Sequence, residues 1–289
     1  MRRFSEEWTK ALSQCRFAGP WPDLSGPRNA PVMPWITVPI HPLLRQAFDE
    51  IGEVQAFKAG DWLFPRVQVR SYMLLESGLT GRIVATADGQ PGAGAMALSA
   101  PMRNAAGNLN WVTHRAAIGR YQALSDARVR VIPHADALHY FHEADRDFHM
   151  ALLAQQELIN LSDRFGFAVL ALLPALDRFK VLLIGWSLFY GGLIETGGRT
   201  LVRIPAPGRK NHIAQVIRTS LVTLDTLLAE MRRRAAYERD GDFLVFDAAA
   251  LQSVHEWMRE AEGKDAYLAR PERVEDMLAA AEAEPVLSA

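Results

Sequence analysis

Forty residues near the C-terminal third constrain the chain most: Gly208 to Asp247, GRKNHIAQVIRTSLVTLDTLLAEMRRRAAYERDGDFLVFD. Their periodicity predicts a short helix over Lys210–Val216, a tight break at Ile217-Arg218-Thr219 and a longer helix over Leu221–Arg234. Leu224, Leu227, Leu228 and Met231 fall at i, i+3, i+4 and i+7, which puts one apolar face on the second helix. Ser220 stands just before it, where a hydroxyl accepts an orphan backbone N–H. Asp240-Gly241 predicts a tight turn with positive φ, returning into a strand over Phe243–Phe246. A capped second helix after a sharp turn, followed by a hairpin, is the outline of a winged helix-turn-helix.

Such a domain needs a cationic surface to meet a polyanion, and the whole chain does not supply one. At 289 residues its net charge is -1. Any attraction to nucleic acid must therefore be local. The stretch does hold Arg203, Arg209, Lys210, Arg218, Arg232, Arg233, Arg234 and Arg239, offset by Asp225, Glu230 and Glu238. Apolar residues make up 49% and charged residues 22%, an ordinary globular balance, and the length suits two domains. Cys15 is the single cysteine, which excludes an internal disulfide and a four-cysteine zinc or iron–sulfur site within one chain. The N-terminus lacks the apolar run of a signal peptide. The apolar region Phe165–Ile194 is interrupted by Pro174, Asp177, Arg178 and Lys180, so neither part reaches the ~18 residues of a membrane span. These features predict a soluble, cytoplasmic protein with no membrane partner.

Five segments follow from composition and period. Residues 1–40 read as an extension: a helix over Glu6–Cys15, then a Pro- and Gly-rich segment, with Trp8, Trp21 and Trp35 as anchors to the body. Residues 41–135 alternate short β-type runs with glycines at corners, the spacing of a sandwich or barrel. Residues 136–173 read as one long helix with two apolar stripes. Phe148, Leu152, Ile159, Gly166, Val169 and Leu173 form the first; Met150, Leu153, Leu161, Phe165 and Leu172 form the second. Two stripes point to two partners, naturally its own β-domain and the same helix of a second subunit; a helix buried within a single chain is the alternative. Residues 174–258 carry a further apolar helix after Pro174, a strand over Thr200–Ile204 and the winged helix-turn-helix; residues 259–289 form an acidic helical tail.

In this order, FKAGDWLF (Phe57–Phe64), YMLLESG (Tyr72–Gly78) and the block Leu201–Phe246 resemble the Crp–Fnr superfamily of bacterial transcription regulators over roughly residues 45–255. The resemblance implies an α+β fold: an N-terminal β-roll (a cyclic-nucleotide-binding-like jelly roll), a long dimerisation helix and a C-terminal winged helix-turn-helix. It implies a homodimer through the 136–173 helix, an effector pocket in the β-roll, double-stranded DNA as partner, and RNA polymerase as a further candidate partner. On this pattern the DNA-binding residues are Arg209, Lys210, His212, Arg218, Thr219, Ser220, Leu221, Val222, Thr223 and Thr226.

The departures from the family pattern are chemical. Cyclic-nucleotide binders hold the ribose with a Gly-Glu pair and the phosphate with an Arg-Ser/Thr-Ala run. Here the stretch is GQPGAGAMALSA, with Ala95 or Met96 at the carboxylate position; Arg115 and Arg120 are both near the phosphate position, neither in register. These residues, with Asn160 and Ser162 on the long helix (Arg164 beside them), are the candidate effector pocket, and cAMP is not the expected ligand. The cofactor is unassigned, and the four cysteines of the oxygen-sensing branch are absent.

His134, His139, His142 and His149 cluster near the helix start, but scattered surface histidines are the expectation rather than a metal site. No His-x-His occurs, which disfavours a cupin enzyme, and no nucleophile–base pair or phosphate loop is present, so no catalytic residue is assigned. On the recognition helix, Leu221, Val222 and Thr226 stand where the family carries Arg-Glu and, one turn on, Arg; none makes a bidentate pair with guanine or adenine, though Val222 and Thr223 can meet a thymine methyl. Three readings stay open: DNA read through shape and phosphates, a helix start shifted by a residue or two, or a domain that has become a ligand-sensing or protein-interaction module.

Overall fold

The computed structural model describes residues 16–19, 33–37, 39–64, 71–85, 91–99, 103–106 and 119–262. By their contacts these divide into two compact units. One is built mainly from Thr37–Gly92 and Leu98–Ser162, the other mainly from Asp163–Leu268 with Ala93–Ala97 and part of the N-terminal segment.

The first unit opens with helix α1 (Pro42–Ile51), inside a region whose expected texture was all β. His41 Nδ1 caps it by accepting from Leu43 N at 3.2 Å, Pro42 sits in the first turn, and Leu44, Ala47 and Phe48 form the buried face. The strands follow: β2 (Glu53–Phe57), β3 (Ser71–Ser77), β4 (Thr80–Ala85), β5 (Pro91–Ser99), β6 (Arg103–Ala106), β7 (Gly119–Ala123) and β8 (Ala127–Pro133). They make two sheets, β2-β8-β3-β6 and β5-β4-β7, the β-roll expected from the sequence.

The KAGD turn is latched by carboxylates. Asp61 Oδ2 accepts from Lys58 N at 2.7 Å, Asp126 Oδ1 accepts from Ala59 N at 3.0 Å, and Lys58 Nζ donates to Asp126 Oδ2 at 2.9 Å. Gly60, at φ 98°, supplies the left-handed residue. In β3, Tyr72, Met73, Leu74 and Leu75 are all buried, so YMLL reads as a continuous apolar run because both its faces are covered.

The helix expected over 136–173 is two helices, α2 (His134–Glu143) and α3 (Arg146–Leu172). Asp145 breaks them: its Oδ1 accepts from Phe148 N at 2.9 Å, an N-cap that starts a new helix. The two stripes of α3 face opposite ways. Phe148, Ile159 and Val169 are buried, whereas Leu153, Leu161 and Leu172 are 61%, 42% and 68% exposed; Phe167, at 63%, adds to the outward set. Pro174 caps α4 (Ala175–Tyr190), which is buried from Val181 through Ser187.

The second unit carries β9 (Gly192–Thr196), β10 (Arg199–Pro205), α5 (Lys210–Val216), α6 (Leu221–Arg233), β11 (Tyr237–Asp240), β12 (Phe243–Asp247), a 3-10 turn (Ala248–Leu251) and α7 (Gln252–Glu262). Its sheet gains a strand from the other end of the chain. Strand β1 (Arg16–Gly19) pairs antiparallel with β9, giving the order β1-β9-β10-β12-β11. Met33, Trp35 and Ile36 are buried in the same unit. Gly166 and Gly185 leave room for them: a Cβ at Gly166 would stand 3.1 Å from Trp35 Nε1, and one at Gly185 would stand 3.0 Å from Ile36 Cδ1. Trp35 is thus an anchor, held at φ 63°. Trp8, Trp21, the helix expected over Glu6–Cys15 and the acidic tail from residue 263 onward lie outside the described residues.

Candidate nucleic-acid interface

The helix-turn-helix begins and ends where its caps dictate. Arg218 N donates to Gln215 O at 3.2 Å and Thr219 N to Ala214 O at 2.9 Å, closing α5 with the paired bonds of a Schellman motif. The left-handed residue of that motif is normally glycine; here it is Arg218, at φ 52°. Ser220 Oγ then accepts from Thr223 N at 3.0 Å, so α6 starts at Leu221 and the reading of a shifted helix start falls away. Leu224, Leu228 and Met231 are buried and hold α6 in place.

The wing differs from expectation by one residue. Asp240 pairs with Phe243, so the turn residues are Gly241-Asp242 rather than Asp240-Gly241, and only Gly241 has positive φ, at 58°. A positive φ at the first central residue alone is the II′ pattern, which suits the twist of a two-residue hairpin.

Much of the basic cluster is engaged within the chain. Arg203 lies 3.4 Å over the Phe243 ring and 3.4 Å from Asp240 Oδ2; Arg232 lies 5.1 Å over Tyr237. Arg233 and Arg234 both bridge to Glu230, and Arg239 donates to Gly241 O at 2.8 Å. These arginines brace the wing and the end of α6. Around the turn, Arg209, Lys210 and Arg218 are exposed, and Lys210 Nζ is paired with Asp225. His212 is half-buried in α5; burial lowers its pKa below the ordinary imidazole value, and the nearby Arg209 charge adds to the lowering. At neutral pH it is an uncharged donor or acceptor, not the cation that a phosphate contact would prefer.

On α6, Leu221 and Val222 are 48% and 77% exposed, and Thr223 and Thr226 are exposed beside them. Thr219 is half-buried and Ser220 is exposed but committed to its cap. The structure therefore gathers the ten sequence-assigned residues around one turn.

The candidate effector residues are not gathered in this way. Arg120 stacks 4.0 Å over the Trp62 ring and reaches Phe64 O at 3.5 Å, so its guanidinium already has an aromatic and a carbonyl partner. Asn160 is exposed and Ser162 is 5% exposed; two residues turn a helix by about 200°, so the pair cannot line one pocket. Ala95 and Met96 lie on β5, and Arg115 lies outside the described residues. Inside the roll, Leu63, Phe64, Met73, Leu75, Tyr121, Val129 and Val131 pack into one apolar cluster. A cavity of about 260 Å³ lies elsewhere, at the α2–α3 joint, lined by Leu43, Gln46, Tyr140, Glu143, Ala144, Asp145 and Phe148.

Among the described residues no three His, Cys, Asp or Glu side chains converge as metal ligands, and no helix is long and apolar enough to cross a membrane. His139 meets Glu143 at 3.6 Å, and His149 Nδ1 lies 2.7 Å from Asp145 O.

Comparison with solved structures decides the architecture. FixK2 from Bradyrhizobium japonicum superposes with a TM-score of 0.58 over 71% of this chain and 96% of its own, at 13% identity. The chain has the CRP/FNR fold. CprK in complex with OCPA gives a TM-score of 0.55 at 15% identity, over 78% of this chain and 97% of CprK. A CRP/FNR-family transcriptional regulator from Thermus thermophilus gives 0.51 at 18% identity, over 71% of this chain and 98% of its own. No protein-family model and no curated relative matches the sequence. Within the CRP/FNR fold, the strand β1 and the buried Met33–Ile36 segment were the parts that local sequence pattern gave least reason to place.

Proposed function

We propose that this chain is a DNA-binding transcription regulator of the Crp–Fnr type, a divergent member that acts as a homodimer in the cytoplasm, with an effector other than cAMP or none. It carries out no catalysis. The observation that carries the reading is the start of α6: a capped helix that turns Leu221, Val222, Thr223, Asp225 and Thr226 to solvent, flanked by the exposed Arg209, Lys210 and Arg218. A helix N-terminus between cations is suited to a phosphate backbone on either side of a major groove.

The segments of the sequence take roles accordingly: an extension (1–40), a sensor roll (41–135), a dimerisation segment (136–173), a DNA-binding domain (174–258) and a tail (259–289). The outward apolar side chains of α3 support self-association through that helix. Arg209, Lys210, Arg218, Thr219 and Ser220 contact phosphates, with His212 as a neutral hydrogen-bonding group; Leu221, Val222, Thr223 and Thr226 face base edges. Two such helices in a dimer would reach half-sites about 34 Å apart. RNA polymerase remains a candidate partner on the strength of the resemblance alone.

The same exposed Leu221 and Val222 favour a second reading, a protein-docking face on a sensing module. Binding of the purified protein to a randomised duplex pool at two salt concentrations separates the two. Retention that weakens steeply with salt and enriches a palindrome supports the regulator. No retention at either salt removes that reading in favour of the docking face.

A further inference from the structure

The outward face of α6 holds polar side chains, yet their polar atoms are engaged by near neighbours on the helix-turn-helix itself. Thr223 Oγ1 lies 2.8 Å from Ser220 Oγ, and Thr226 Oγ1 donates to Val222 O at 2.9 Å. Asp225 is taken by Lys210 Nζ. A threonine whose hydroxyl bonds its own helix leaves its Cγ2 methyl as the outward group. Val222, Thr226 and Ala229 recur at i, i+4 and i+7, all exposed, with Leu221 beside them. From Ser220 to Ala229 no arginine, lysine, asparagine or glutamine occurs, so no side chain there makes a bidentate hydrogen-bonded pair with a purine. The face that would enter a groove is mainly a strip of methyl groups, its one carboxylate, Asp225, paired with Lys210, and the exposed cations Arg209, Lys210 and Arg218 flank it.

We propose that α6 selects its site through the C5-methyl groups of thymine. Among base edges in the major groove, the thymine methyl is the one apolar group. A guanine or cytosine edge set against this strip would lose its water without gaining a partner, which costs binding. Thymine is thus favoured by contact, and G·C pairs are disfavoured by unpaired polar edges at the same positions. Val222, the most exposed of the large apolar side chains, is the specificity-determining residue, and Thr226 and Leu221 extend its reach. The inference rests on the DNA-binding reading above and deepens it.

The test uses the full-length protein and the duplex enriched from the randomised pool. Each thymine of a half-site is replaced in turn by deoxyuracil, which removes one methyl and leaves every hydrogen-bonding edge unchanged. Binding should fall about fourfold at one or more positions per half-site, the ratio expected for one buried CH₂. At those positions 5-methylcytosine should be tolerated better than cytosine. Val222→Ser, at an exposed site, should abolish the uracil penalty and leave the salt dependence of binding unchanged. Indifference to uracil at every thymine, with salt-sensitive binding intact, would overturn the methyl reading and leave the DNA-binding one standing. Absence of salt-sensitive binding to any duplex would overturn both.

Discussion

The outward face of α3 and the start of α6 are both apolar and exposed, and they differ in what surrounds them. On α3, Leu153, Leu161, Phe167 and Leu172 recur along a 27-residue helix, a long seam of large side chains. On α6, Leu221 and Val222 occupy one turn, with exposed cations on both sides of the preceding helix. A long seam gains most by pairing with a like surface, since only another apolar helix removes it from water. A short apolar strip between cations gains most from a partner that is anionic outside and apolar within, and a DNA groove displaying thymine methyls is such a partner. Exposure of leucine or valine does not by itself name a partner; the neighbouring charges do.

The largest effect should come from breaking the seam. Leu161→Arg puts a charge at its middle, and sedimentation should show a monomer in place of a dimer. Because two half-sites then bind independently, affinity for a palindromic duplex should fall by ~10² or more. A dimer that persists would show that the contact lies elsewhere.

Next in size, Arg218→Gly should move stability and DNA affinity in opposite directions. Glycine relieves the left-handed backbone that Arg218 adopts at φ 52°, which stabilises by about 1 kcal/mol, or a few degrees in melting temperature. On the DNA-binding reading it also removes one cation assigned to a phosphate, so the slope of log affinity against log salt should shrink by about 1. Loss of stability in calorimetry would contradict this account of the turn.

Asp225→Asn sharpens the comparison further. It frees Lys210 and removes the one carboxylate from the strip, and DNA affinity should rise severalfold at low salt, while an exposed pair of this kind contributes at most ~1 kcal/mol to folding. A protein-docking face gives no reason for a gain in duplex binding.

The smallest effect concerns His212. Its folded-state pKa lies below its unfolded value, so the unfolded chain binds the extra proton first. The stabilisation is full above the unfolded pKa, near 6.5, and is lost as pH falls below it toward the folded value. His212→Gln should flatten the thermal-melting profile on the acid side of pH 6.5, by about a degree. An unchanged profile would mean that the imidazole titrates alike in both states.

Local signals were readable in the sequence and distant ones were not. The helix-turn-helix follows from Ser220, the apolar spacing of α6 and the charged turn, all within 30 residues, and its boundaries agree with the structure to one residue. The hairpin shifted by one because Asp-Gly and Gly-Asp both offer a left-handed residue, and only the pairing of Asp240 with Phe243 fixes the register. Helix α1 carried readable signals, Pro42 in its first turn and Leu44, Phe48 and Ile51 on one face, but the glycine-punctuated texture around it masked them. The break at Asp145 was hidden because both apolar stripes begin after it, at Phe148 and Met150, and so do not mark where the helix starts. For the site, residue identity located the turn but could not show that Thr223 and Thr226 spend their hydroxyls on their own helix, since that depends on rotamers. The pairing of β1 with β9 joins residues more than 170 apart, beyond any local pattern.

That last pairing makes the winged-helix unit discontinuous in the gene. A recombination event that transplanted everything from α3 onward would leave behind the strand that caps β9 and the Met33–Ile36 segment seated against Gly166 and Gly185. The transplanted sheet would carry a bare edge open to pairing with other chains. An exchange of whole domains at that boundary would separate two stretches that fold as one unit, so substitutions in β1 and in Met33–Ile36 are constrained by the sheet and helices they pack on.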